Sequence, residues 1–273
     1  MAIIDISNLR LLDDLLFAVC CQENIPCTEI IIQTALNNFN IKIESVKIQY
    51  HIKSLQEHSV YLDVLAIDTK TNQYFNIEVQ RSDEGADVKR ARFHCSIIDS
   101  NLLKTSTPYS KLPTLYVIFI TENDIFGRGL PIYKIERKFE DNNEPFGDCS
   151  YIIYINTSYN KEEETPLGKM IHDFKCRDWQ EMKIEILKNR VKFFKTTEGG
   201  ERQMGSMIDE ITRQKVEEAM AKGRAEGRAE GRAEGRAEGQ LNLIQKITNS
   251  LKQGESYTSE DILHLLLKLQ VAN

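Results

Sequence analysis

Apolar and polar residues alternate through ESVKIQYHIK, with Val46, Ile48, Tyr50 and Ile52 on one side, a pattern that predicts a strand with one buried face. Residues 60–80, VYLDVLAIDTKTNQYFNIEVQ, place two runs rich in β-branched and aromatic residues around a polar DTKTN, which predicts a β-hairpin. TLYVIFIT is continuously apolar, as in a strand covered on both faces. PIYKIERKF and SYIIYINTS read as two more strands, separated by the turn-forming EDNNEPFGD. Helical spacing is found in LRLLDDLLFAVCC and in CTEIIIQTALNNF, where Pro26 stands at a helix start. Residues 84–103 predict a further helix, with Val88, Ala91, Cys95, Ile98 and Leu102 on one stripe and Lys89, Arg92, Phe93 and Ser96 on another. TPLGKMIHDFKC and DWQEMKIEILKNRVKFF also read as helical, the latter with Trp179, Met182, Ile186 and Phe193 as its apolar stripe. The order is αβββαβ with added strands and helices, an α/β fold.

Each strand of the hairpin carries an acid where an apolar residue would pack better. Side chains alternate along a strand, so Glu78 and Gln80 share a face. A turn centred between Lys70 and Thr71 sets Asp63 opposite Glu78. Opposed like charges destabilise a strand pair, the more so when buried, unless a positive charge lies between them. A divalent cation would supply it, since hard cations are held by one or two carboxylates with water and phosphate oxygens. Acids on a solvated hairpin face are the alternative, and a single bulge would change the register.

From Gly223 the pattern gives way to GRAEGRAEGRAEGRAE, which has no large apolar residue to bury. A four-residue step turns a helix by about 400°, so no residue type holds one face, and each glycine costs about 1 kcal/mol against alanine. A marginal helix or flexible spacer is expected. Beyond it, LNLIQKITNSLKQGESYTSEDILHLLLKLQ reads as two short amphipathic helices, with a cap near Thr258 or Ser259, that can dock on the domain or self-associate.

Composition narrows the function classes. A chain of 273 residues, 41% hydrophobic, can fill a sizeable core. Its longest apolar runs fall short of the roughly 20 residues that cross a bilayer, and MAIIDISN lacks the regions of a signal peptide, so no membrane partner and a cytoplasmic location are expected. The six cysteines show no CxxC pair, which favours free thiols, and His172 and Cys176 lack further ligands for zinc. A net charge of −6 argues against coating DNA through bulk charge. Locally, residues 81–111 hold six basic side chains against four acidic ones.

An acid on the second strand of an αβββαβ core, followed by an acid-x-polar triplet on the third, resembles the PD-(D/E)XK nuclease superfamily, the restriction-endonuclease-like fold. NIEVQRSDEGADVKRARFHCSIID, YVIFITENDIFGRGLPIYKIER and EPFGDCSYIIYINTSY resemble more closely the PD-(D/E)XK family transposases, or recombination-promoting nucleases. The resemblance covers roughly residues 5–200, and the GRAE tail is similar to that group's variable C-termini. With it the expected organisation is a nuclease-like domain over 1–200, followed, from the composition and pattern alone, by a helical connector over 201–222, the repeat over 223–239 and a C-terminal helical segment over 240–273.

The resemblance further implies that Asp63 and Glu78 bind Mg²⁺, or Mn²⁺, with Glu29 as a candidate additional acid. Gln80 stands where the superfamily usually has lysine; glutamine neither titrates nor carries charge, so it can orient water but not take its proton. Lys89 and Arg92 are candidates for the missing positive charge and for contact with nucleic acid. The implied activity is metal-assisted cleavage of DNA phosphodiesters that promotes recombination. A catalytically weak DNA-binding or protein-interaction module is the alternative, and RNA as substrate stays open. Neither a separate helix-turn-helix nor a DDE-type spacing is present.

Overall fold

The computed structural model describes residues 6–52, 60–161 and 164–252, apart from some side chains after residue 210. The expected C-terminal cap near Thr258 or Ser259 lies outside the described residues.

A six-stranded mixed sheet runs in the order β1-β2-β3-β4-β6-β5. Its strands are β1 (Ser45–Ile52), β2 (Val60–Asp68), β3 (Gln73–Gln80), β4 (Thr114–Thr121), β5 (Ile132–Ile135) and β6 (Ser150–Asn156). β1, β2 and β3 form an antiparallel meander, β3, β4 and β6 are parallel, and β5 closes the edge antiparallel to β6. This is an α/β fold of the restriction-endonuclease-like kind, with the αβββαβ order. The hairpin turn is built by Asp68, whose carboxylate accepts from the Lys70 and Thr71 amides, and by Asn72 at a φ of 53°. The polar DTKTN segment therefore fixes the register by local hydrogen bonding.

Helices α1 (Asp14–Cys21), α2 (Ile25–Leu36), α3 (Val88–Leu102), α4 (Pro166–Lys175) and α5 (Glu185–Thr196) surround the sheet. α3 makes the crossover between parallel β3 and β4, as a parallel connection requires. Its Ala91, Cys95, Ile97 and Ile98 pack with Leu115, Val117, Phe119 and Tyr154 in one apolar cluster. The residues between them on β4, Ile118 and Ile120, are equally buried on the opposite face. That two-sided burial is why TLYVIFIT carries no alternation. α1, α2, α4 and α5 pack together, with the Phe17 and Phe174 rings 6.0 Å apart.

Two helical stripes differ from expectation. Val88 is exposed, and the buried face of α3 runs through Ala91, His94, Cys95 and Ile98, because the first turn of the helix stands clear of the cluster. The helix expected over 178–194 instead begins at Glu185, after a short 3-10 turn at Trp179–Glu181. The start is set by Asp173, whose two carboxylate oxygens accept from the Lys183 and Ile184 amides at 2.7 and 2.8 Å. The shifted phase buries Leu187, Val191 and Phe194 and leaves Ile186 exposed.

Residues 1–208 and 209–273 form separate units. One helix, α6 (Glu198–Lys252), carries the GRAE repeat within it. Its start belongs to the first unit, where Met204 and Met207 are buried. No single helix among the described residues is long and apolar enough to cross a membrane.

Candidate metal centre

The β2–β3 register follows the symmetric hairpin down to Val64↔Ile77. One residue further, side chains replace the ladder. The Asp63 amide donates to Glu78 Oε1 at 3.3 Å, and the Val79 amide donates to Asp63 Oδ2 at 3.0 Å. Both carboxylates therefore sit between the two strands and not on a solvated face.

The backbone explains this departure. Leu62 and Leu65, three positions apart, pack into the same apolar cluster, so strand alternation slips across Asp63 and Val64. On β1 the residue skipped by the pairing at this point is Gln49, whose φ is 46°. A non-glycine residue in the left-handed region is uncommon and marks a local twist of the strand.

Glu78 is fully buried and Asp63 is 8% exposed. Glu78 Oε1 also accepts from Asn76 Nδ2 at 3.0 Å and lies 3.5 Å from His94 Nδ1. Glu78 Oε2 is buried and accepts no hydrogen bond among the described residues; Arg90 Nη2 stands 3.9 Å from it. Arg90 in turn donates from Nη1 to the Gly85 carbonyl at 3.0 Å and from Nε to His94 Nε2 at 3.4 Å. His94 Nδ1 also lies 3.3 Å from Asn76 Nδ2, so Asn76, Glu78, His94 and Arg90 form one continuous polar network.

Burial, then the carboxylates of Glu78 and Asp14, push the Asp63 carboxyl well above the usual carboxylate range, while the Val79 amide and Arg90 act the other way. A carboxyl raised by burial and by like charge is a group waiting for a proton or a cation. Glu78 Oε2, buried beside it without a hydrogen bond among the described residues, points the same way. The donor set is all oxygen, which suits Mg²⁺ or Mn²⁺ and not a soft metal.

Glu29 is placed elsewhere. Its carboxylate accepts from the Ile43 amide and Lys42 Nζ, both at 2.9 Å, and ties α2 to the chain entering β1. The acid that acts on Asp63 from the N-terminal helices is Asp14, at the first turn of α1. A signal for it existed, in the acid pair that interrupts the apolar LRLLDDLLFAV. Acids are common in first helical turns, where they favour the helix dipole, and that masks the signal. The turn before α1 is pinned by charge: Arg81, directly after β3, pairs with Asp13 at 2.8 Å and Glu122 at 3.1 Å, and Arg10 pairs with Glu122 at 2.7 Å.

Gln80 shares the face of Glu78, and its amide lies over Gly85, where a Cβ would fall 1.9 Å from Gln80 Oε1. Lys89 and Arg92 are exposed on α3. The basic residue of α3 that reaches the acids is Arg90, which lies with His94 on one helical face. His172, Asp173 and Cys176 also come together, with one ligand atom from each within 4.8 Å of the others, but both Asp173 oxygens are spent on the start of α5.

Neither the curated proteins nor the solved structures contain a match to this chain. The family model described as PD-(D/E)XK nuclease family transposase matches residues 30–220, a span that holds Asp63, Glu78, Gln80 and Arg90. The chain belongs to the PD-(D/E)XK nuclease family transposases.

Proposed function

We propose that this chain is a divalent-metal-dependent endonuclease that hydrolyses DNA phosphodiesters and so promotes recombination or mobility of DNA. The observation that carries the reading is the buried Glu78 oxygen that accepts no hydrogen bond, beside an Asp63 carboxyl raised by burial and by Glu78 itself. Asp63 and Glu78 would hold Mg²⁺, or Mn²⁺ in its place, and Asp14 is the third acid in reach of the same field. When bound, the ion supplies Lewis-acid polarisation of the phosphate and lowers the pKa of water.

The chain's own groups do the rest. Asn76 Nδ2 donates to Glu78 Oε1, and His94 Nδ1 lies 3.5 Å from the same oxygen. The Val79 amide fixes the Asp63 carboxylate against strand rotation. Gln80 can orient an attacking water through its amide but cannot accept a proton from it. In the reaction the water oxygen bonds to phosphorus, one ester P–O bond breaks, and the departing oxygen takes a proton. The products are a phosphomonoester and a hydroxyl. DNA as substrate is supported by family membership. Leu241 and Ile244, exposed on α6, support self-association through the C-terminal segment.

Purified protein is expected to nick or cut plasmid DNA only with Mg²⁺ or Mn²⁺, and Asp63→Asn to abolish cleavage with the fold intact. Full activity of Asp63→Asn would remove Asp63 from the reaction. The uncharged Gln80 favours a second reading, a nuclease fold retained for binding; a chain that binds DNA but takes up no metal would establish it.

A further inference from the structure

We propose that Arg90, from α3, supplies to the scissile phosphate the positive charge that the third position of the triplet lacks. The inference rests on the endonuclease reading and adds a residue to it. Gln80 carries no charge, and its amide oxygen is lodged against Gly85. The same glycine presents its carbonyl to Arg90 Nη1. The turn at Glu84–Ala86 thus couples the neutral residue of the triplet to a cation on the following helix.

Arg90 is held at two points and uncommitted at a third. Nη1 is tied to Gly85 and Nε to His94, whereas Nη2 stops 3.9 Å from Glu78 Oε2, too far for a hydrogen bond. A guanidinium has a rigid planar fork, so fixing two nitrogens aims the third. Its side chain is 40% exposed and that of Glu78 1%, so Arg90 spans from the buried acid to solvent, the side from which a phosphate must arrive. Its charge acts on Asp63 as well as on Glu78.

Other basic groups fit less well. On a helix, Lys89 and Arg92 lie about 100° and 200° away from Arg90. Arg81 spends its guanidinium on Asp13 and Glu122.

The test uses the full chain and four proteins: wild type, Arg90→Lys, Arg90→Gln and Asp63→Asn. Glutamine keeps a donor for the Gly85 carbonyl without charge, and lysine keeps the charge without the fork. Single-turnover cleavage of plasmid with Mn²⁺ is expected to fall at least about 100-fold in Arg90→Gln and to stay within about tenfold in Arg90→Lys. Mn²⁺ affinity, measured by calorimetry, is expected to be unchanged or tighter in both. Wild-type cleavage with undiminished Arg90→Gln cleavage overturns this inference and leaves the endonuclease reading standing. Loss of Mn²⁺ binding in Arg90→Gln also overturns it, since Arg90 would then act by placing Glu78. If the wild type cleaves nothing, the endonuclease reading falls, and Arg90 is judged by binding of a labelled DNA duplex in Ca²⁺. There Arg90→Gln should lower the salt slope by about one phosphate contact, and equal slopes overturn the proposal.

Discussion

Asp63→Asn should make the metal-free protein more stable while removing its metal site. In the wild type two carboxylates are buried at one point of the sheet, and one carboxyl oxygen of Glu78 accepts no hydrogen bond. Unit charges about 4 Å apart at an effective dielectric near 20 interact by about 4 kcal/mol. Two things reduce the repulsion. Asp63 can take up a proton, and Arg90 stands 3.9 Å from Glu78, though solvent screens an arginine that is 40% exposed. Asparagine keeps an oxygen for the Val79 amide, so the substitution removes charge and leaves that bond. A net gain of about 1–2 kcal/mol is expected, in the range of other stabilising single substitutions. For a domain of this size it corresponds to a rise in Tm of roughly 2–8 °C.

The gain depends on pH in a defined direction. A carboxyl whose folded pKa lies above its unfolded value favours the fold below the unfolded pKa, and that contribution is lost as pH rises through the folded value. Asp63 is such a group. Calorimetric melts in EDTA should therefore show the largest advantage of Asp63→Asn at pH 8 and a shrinking one toward pH 4. Added Mn²⁺ at 100 times its Kd should stabilise the wild type by about 2.7 kcal/mol and leave Asp63→Asn unmoved. A variant less stable than wild type in EDTA at pH 8 would refute the reasoning, because the acids would then be satisfied by the protein alone.

Gly85→Ala should displace Gln80 with little effect on the fold, because the atoms a Cβ would meet all belong to side chains, those of Gln80 and Ser82. A melt within about 1 kcal/mol of wild type, with cleavage down about ten- to a hundredfold, is expected; unchanged cleavage would show that Gln80 orients nothing. Asp173→Asn should destabilise by about 2–3 kcal/mol in denaturant unfolding, since the Lys183 and Ile184 amides each use a separate carboxylate oxygen and asparagine replaces one of these with an NH₂ donor, and a neutral effect would contradict the role given to it at the start of α5.

Much of the fold was legible because its signals are local. Asp68 and Asn72 build a symmetric turn, so the register over Val64–Asp68 followed from the position of DTKTN alone. β4 announced its two-sided burial by being apolar throughout. The site was legible only as far as the hairpin carried it. That the acids turn inward depends on the slip between Leu62 and Leu65 and on Gln49, features with no mark in the pattern. Arg90, His94 and Asp14 reach the site from helices, and nothing in their spacing fixes which face of α3 or which end of α1 meets β3. The phase of α5 was missed for a related reason, because its start is set by a carboxylate ten residues upstream of the first amide it caps. The repeat over 223–239 offered no tertiary signal, and it lies inside α6, where the Arg236 guanidinium Nε donates to the Arg232 carbonyl one turn earlier.

The central claim is that Asp63 and Glu78 grip one hard cation between β2 and β3. Calorimetric titration of Mn²⁺ into the metal-free wild type, Asp63→Asn and Glu78→Gln addresses it without reference to any substrate. The account predicts a site in the wild type that releases protons on binding and is lost in both variants. A wild type that takes up no ion, or variants that bind as well as it does, would contradict it.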